Sequence, residues 1–164
     1  RLLGLPYPGG PYLSNLAQKG DPTKFKLPIP MRNSKDFDFS YSGLKTAVAN
    51  MINDKRLTIN DKQDLAASIE ETIVISLIGK VLPAIKKYNI EQLMVAGGVA
   101  ANKRLVDKLL VLTKDKTISL HVPSGNLCTD NGAMIAAAGF FTKSIQDPLL
   151  LQANPNLTLT NDWI

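Results

Sequence analysis

Leu93-Met94-Val95-Ala96-Gly97-Gly98-Val99-Ala100-Ala101-Asn102 is an apolar run interrupted by two glycines, and the rest of the chain is read from it. Leu93 to Ala96 suits a buried strand, the glycine pair a tight turn, and the residues beyond it the start of a helix. A turn without side chains lets backbone N–H groups approach a phosphate. The same pattern serves equally well as a strand-to-helix connection that binds nothing. No Gly-Lys-Ser/Thr follows to make a P-loop, and the G-x-G-x-x-G spacing of a dinucleotide site is absent.

Downstream, Asn102 to Lys114 reads as a helix with Leu105, Leu109 and Leu112 on one face. Thr117 to Val122 alternates as a strand does, Pro123 to Leu127 is a loop, and Thr129 is expected to cap a small-residue helix running to about Thr142. Upstream, a long helix is predicted from Asp61 to about Tyr88, capped by Thr58 or Asn60. Leu65, Ile69, Ile73 and Leu77 give its apolar face, Glu70 and Glu71 its polar side, and Pro83 should kink or break it near Leu82. Earlier still come a helix from Gly43 to about Asn53 capped by Ser42, and a short helix from Tyr12 to Lys19 stopped by Gly20. Asp21 to Arg32 holds three prolines and should be irregular, whereas Phe37 and Phe39 alternate with polar residues as in a short strand. Residues 143–164 are expected to form a surface tail. Strands alternating with helices give an α/β class, helix-rich, and two strands make an incomplete sheet for 164 residues.

Composition sets the outer bounds. One substantial core and one domain fit this length, and no apolar run nears the roughly 20 residues that span a bilayer. Arg1 to Gly10 is turn-rich and has no signal-peptide character, and with no initiator methionine the chain is expected to be a fragment. The lone Cys128 excludes an internal disulfide and fits a reducing compartment. A net charge of +5 and a pI near 9.3 are compatible with an acidic partner such as RNA.

Several residues carry candidate chemistry. Asp130, in Cys128-Thr129-Asp130-Asn131-Gly132-Ala133-Met134-Ile135-Ala136, is a hard-oxygen metal ligand, a general base, or a helix-start acid that favours the dipole. Asn102 offers an amide suited to a ribose or phosphate contact, or to helix capping. Cys128 and the single histidine, His121, are better suited to structural roles than to catalysis. Ser40-Tyr41-Ser42-Gly43-Leu44-Lys45-Thr46 sets hydroxyls and a cation at a helix start, which suits an RNA backbone or an ordinary N-cap. Pro8-Gly9-Gly10-Pro11 is a rigid turn.

Taken in order, Tyr7-Pro8-Gly9-Gly10-Pro11, Asp38 to Thr46, Gly97 to Asn102 and Cys128 to Ala136 resemble the TsaD family, the tRNA adenosine threonylcarbamoyltransferases, in its bacterial or mitochondrial form. The resemblance covers nearly the whole chain but only the C-terminal half of the family's enzyme. It implies an actin-like ATPase fold, shared with sugar kinases and heat-shock chaperones, and transfer of threonylcarbamoyl from threonylcarbamoyl-AMP to N6 of the adenosine 3′ of the tRNA anticodon. It further implies that Gly10 and Asn102 contact the adenylate and that Gly97 and Gly98 line its cleft. Asp130 would be one of three ligands of a divalent metal, iron (Fe²⁺) or zinc, the other two being histidines of an upstream H-x-x-x-H pair that this chain lacks. Lys24, Lys26, Arg32, Lys35 and Lys45 are the cations to test against tRNA. TsaB- and TsaE-like proteins are the implied partners of a bacterial form, and the cytoplasm or the mitochondrial matrix the implied compartment. A fragment of this kind is expected to be inactive alone. A non-catalytic scaffold, or a kinase or ATPase of the same superfold, remains the alternative.

Overall fold

The computed structural model of the chain describes residues 2–54, 57–114, 118–142, 147, 149 and 152. Its contacts divide into two units, residues 1–129 and 130–164. Most of the expected tail lies outside the described residues.

The first unit is organised by one helix, α3 (Ile59–Tyr88). At 30 residues it runs for about 45 Å. Thr58 starts it with a capping box: the Thr58 hydroxyl accepts from the Asp61 N–H at 3.2 Å, and the Asp61 carboxylate accepts from the Thr58 N–H at 2.9 Å. Thr58, one of the two expected caps, is therefore the cap. Asn89 in the left-handed conformation ends the helix, behind Lys86 and Lys87 in the last turn. Pro83 does not end it. Leu77 and Ile78 pack just ahead of the proline, and the Lys80 ammonium is bonded there, so tertiary contacts outweigh a local cost of about 3 kcal/mol.

Residues 65–70 of α3 are all buried, which a helix tolerates when it is covered on more than one side. Three clusters share it. Leu65 and Ile69 pack on Leu44 and Val48 of α2 (Ser42–Asp54). Ala66 and Ala67 pack on Ala17 of α1 (Gly9–Ala17), where small side chains let the two backbones close up. Val74 packs on Leu105 and Leu109 of α4 (Lys103–Lys114).

Three local expectations are corrected. Helix α1 begins at Gly9, not Tyr12, because Pro11 falls in its first turn, where an N–H has no intrahelical acceptor to lose. Helix α2 begins at Ser42 itself, its first bond running from the Lys45 N–H to the Tyr41 carbonyl at 3.0 Å. Phe37 to Ser40 forms no strand: the Asp38 N–H turns to the Asp36 carboxylate at 3.1 Å and the Phe37 ring packs on Tyr88 at 5.8 Å, so no ladder is available to it.

The unit closes with β1 (Gln92–Met94), α4 and β2 (Ser119–His121). The strands are parallel neighbours, with Leu93 opposite Leu120 and Met94 opposite His121, and α4 is the crossover between them. Leu93 and Leu120 turn toward the Val74–Leu105–Leu109 cluster. The class is thus α/β, helix-rich, with a two-stranded parallel sheet among the described residues. In the second unit, α5 (Gly132–Phe141) is capped by Asn131, whose side-chain oxygen accepts from the Met134 N–H at 2.9 Å. Asn131 takes the place expected of Thr129.

Candidate functional site

The glycine pair follows β1 after Val95 and Ala96, and the strand expected to be buried over Leu93 to Ala96 is instead Gln92–Met94, half-buried at Leu93 and exposed at Met94. The two glycines differ. Gly97 has φ 80° and ψ 179°, a region open essentially to glycine alone. Gly98 starts a 3-10 turn through Ala101, and a Cβ added there would meet only the Thr129 methyl, at 4.0 Å. Both glycines are exposed.

The turn delivers Asn102, which caps α4. Its Oδ1 accepts from the Leu105 N–H at 2.9 Å, and its main-chain carbonyl accepts from the Val106 N–H at 3.1 Å. Its Nδ2 donates to Oε1 of Glu70 at 2.8 Å. The same carboxylate oxygen accepts from the Ser14 hydroxyl at 2.6 Å, and Ser14 Oγ lies 3.5 Å from Asn102 Nδ2. Glu70 is 8% exposed, which corrects its expected place on the polar side of the long helix. A buried carboxylate needs donors, and the two found among the described residues come from elements 56 and 32 residues away.

This carboxylate joins two of the motifs. Gly10 is exposed in the first turn of α1, and Ser14 lies four residues on, one helical turn along the same face. The helix of Gly10 and the turn of Gly97, Gly98 and Asn102 thus meet through Glu70. Sequence reasoning missed Ser14 and misplaced Glu70. The available signal was spacing: Glu70 stands four residues from both Ala66 and Val74, inside the apolar stripe.

The hydrogen bonds of the Glu70 junction involve none of the other candidates. Asp130 is exposed in the second unit, next to the cap of α5. Among the described residues no three His, Cys, Asp or Glu side chains gather as a metal site. Cys128 is buried, its Sγ 3.6 Å from the Ser124 carbonyl, so it packs as a small apolar side chain. His121 is exposed, held by main-chain pairing in β2. Lys24, Lys26, Arg32, Lys35 and Lys45 are all exposed. In the Ser40–Thr46 motif, the Thr46 hydroxyl donates to the Ser42 carbonyl at 3.1 Å, while Tyr41 packs into the α2–α3 cluster and burial raises its phenol pKa. A groove of about 500 Å³ between α3 and α4, lined by Ile75, Ile78, Val111 and Leu112, shares none of these residues.

Glu71, beside Glu70, faces the other way and clamps α3 to α4 through Arg104 and Lys108. Burial pushes its pKa up, but hydrogen bonds from Lys108 and Arg104 and their charges outweigh that and hold it below the ordinary glutamate value. A lowered folded pKa means that the clamp stabilises fully above the unfolded value and is lost as pH falls through the folded one. Acid titration of stability should therefore drop more steeply in this chain than in Glu71→Gln, with the difference developing as pH falls from the ordinary glutamate value to the lowered one. Parallel curves would remove the clamp from the acid response.

The family model described as "tRNA N6-adenosine threonylcarbamoyltransferase", TsaD, matches residues 1–137. Proteins of that name in Thiobacillus denitrificans and Aromatoleum aromaticum are 51% and 48% identical to the chain over 139 residues, covering 85% of it. One in Thermosipho africanus is 42% identical over 161 residues, covering 97% of the chain. The matches take in 40%, 41% and 49% of those relatives' own lengths, so the chain spans less than half of each. A family match over most of the chain, which includes both arms of the Glu70 junction, settles the classification: the chain belongs to the TsaD family.

Proposed function

We propose that this chain is the C-terminal part of an enzyme that moves threonylcarbamoyl from threonylcarbamoyl-AMP to N6 of the adenosine 3′ of the tRNA anticodon. The observation that carries the proposal is the family match across residues 1–137, within which Glu70 ties the helix of Gly10 to the turn of Gly97, Gly98 and Asn102. The relatives are named tRNA N6-adenosine threonylcarbamoyltransferases. The proposed framework is the actin-like ATPase fold, with the β1–α4–β2 unit as part of its sheet.

In the reaction, N6 attacks the carbamoyl carbonyl carbon, gives up a proton, and AMP leaves on its phosphate oxygen. This chain's part is positioning. Gly10, Gly97 and Gly98 keep side chains off the adenylate so that main-chain N–H groups reach its phosphate. Asn102 stands at the edge of that surface, its amide oriented by Glu70. Lys24, Lys26, Arg32, Lys35 and Lys45 are the cations assigned to tRNA phosphates.

Asp130 alone does not make a metal site. We assign it as one carboxylate ligand of a divalent ion, iron or zinc, whose histidine donors lie outside this chain, and no step above runs through that ion. TsaB- and TsaE-like proteins are the proposed partners, and the cytoplasm or the mitochondrial matrix the proposed compartment. Among the described residues, no helix is long and apolar enough to cross a membrane.

The test is a chimera that joins this chain to the upstream half of the Thermosipho africanus relative, assayed with tRNA and threonylcarbamoyl-AMP. Modified adenosine is expected from the chimera, none from the chain alone, and none from the chimera carrying Asp130→Ala. A folded chimera that leaves tRNA unmodified overturns the assignment, and undiminished transfer by Asp130→Ala removes the metal role.

A further inference from the structure

The loop 31–37 and the last turn of α3 form a second cluster, away from the glycine turn. The loop is pinned from beneath. Lys80 is 8% exposed, and its Nζ donates to the carbonyls of Asp36 at 2.7 Å and Ser34 at 3.2 Å and to the Ser34 hydroxyl. The Ser34 hydroxyl in turn donates within the loop, 3.0 Å from the Met31 carbonyl and 2.9 Å from the Asp36 carboxylate. Asp36 is also ion-paired to Lys80 at 3.4 Å. An ammonium this deep must use its donors, and each one it uses fixes loop backbone.

Lys87 lies seven residues beyond Lys80, two turns along the same face of α3. Its Nζ is 5.2 Å from the ring centres of both Phe37 and Tyr88, and those rings are 5.8 Å apart with planes tilted by 58°. Such contacts hold a cation over aromatic faces. Tyr88 nevertheless keeps 58% of its surface exposed, and Phe39 49%. The loop that carries Phe37 also carries the exposed cations Arg32 and Lys35, while its Asp36 is already matched by Lys80.

We infer that this cluster is a binding surface for unpaired RNA, in which the exposed Tyr88 ring stacks on a base and Lys87, Arg32 and Lys35 meet the flanking phosphates. Ring faces interleaved with cations, on a loop held rigid from below, match the two chemistries of a single strand: base faces and a regularly charged backbone. An acidic peptide offers the charges but not the faces. Naming tRNA as the source of that strand rests on the transferase proposal, whereas the preference for an unpaired strand rests on the geometry alone.

The test is fluorescence anisotropy with the purified chain and two probes, a short RNA hairpin with an unpaired loop and a blunt duplex of equal length. The hairpin should bind more tightly than the duplex. Tyr88→Ala should weaken hairpin binding roughly tenfold, while Tyr88→Phe, which keeps the ring, should restore it. Lys87→Ala should reduce the slope of log affinity against log salt by about one. Equal affinity for hairpin and duplex, an unaffected Tyr88→Ala with a native circular dichroism spectrum, or equal displacement by polyglutamate would overturn the inference. No adenylate or turnover enters this assay, so its failure leaves the transferase proposal standing, and a failed transfer assay leaves this surface standing.

Discussion

Gly20→Ala is expected to destabilise the first unit by about 3 kcal/mol. The added Cβ would sit 2.1 Å from the Gln63 carbonyl oxygen, 2.3 Å from its carbon and 2.6 Å from the Asp64 nitrogen. All three are main-chain atoms of α3, so no side-chain rotation relieves the overlap. The chain must instead lift away just after α1, and several contacts follow it: the Asp21 N–H bond to the Asp64 carboxylate at 2.8 Å, the Phe25 N–H bond to the Ser68 hydroxyl at 3.3 Å, and the Ala17–Ala66–Ala67 contact. At this chain length the loss corresponds to a melting temperature lower by roughly 6–12 °C. Gly79→Ala is the control. It lies in the interior of α3 with no atom within 4 Å of the added carbon, so it should stabilise by roughly 0.5–1 kcal/mol. An unchanged melt for Gly20→Ala would mean that α1 and α3 do not approach as described.

Glu70→Ala carries the second large effect, a loss of about 2–3 kcal/mol. It removes the acceptor shared by Ser14 and Asn102 without removing either donor. The asymmetry matters: an orphaned buried donor costs more than the bond was worth. Glu70→Gln keeps an oxygen at the same reach and should lose less. The loss should also spread along the chain. Once released, the Asn102 amide no longer fixes its Oδ1 on the Leu105 N–H, so hydrogen exchange at the start of α4 should accelerate, at a site 35 residues from the substitution. In a double-mutant cycle with Ser14→Ala the two losses should not add. Additive losses with unchanged exchange at Leu105 would show three side chains acting independently.

Much of the framework was legible because it rests on spacing. The apolar stripe of α3, the Leu105 and Leu109 face of α4 and the alternation that sets Leu120 announce themselves by period, and all three are buried or half-buried as that period requires. Thr58 was legible because a hydroxyl three residues before an acid is a local device. What stayed hidden depended on distant partners. A glutamate beside a second glutamate reads as surface charge, and only donors 56 and 32 residues away make Glu70 an interior residue. Lys80 is the same case, since its acceptors lie 44 and 46 residues upstream. Phe37 and Phe39 carried a strand's alternation but pair with no strand among the described residues. At the candidate site, the strand-to-glycine-turn order was readable at Gly97, but the link from that turn to the helix of Gly10 was not.

The two adjacent glycines separate two kinds of necessity. The first is demanded by the backbone itself, since no other residue adopts φ 80° with ψ 179° without strain. The second has ordinary torsions and open space around it, so the fold would accept a methyl group there. Nothing among the described residues therefore excludes a side chain at position 98. Alanine at that position interrogates an approaching molecule and leaves the turn undisturbed, so it distinguishes a ligand's requirement from the protein's.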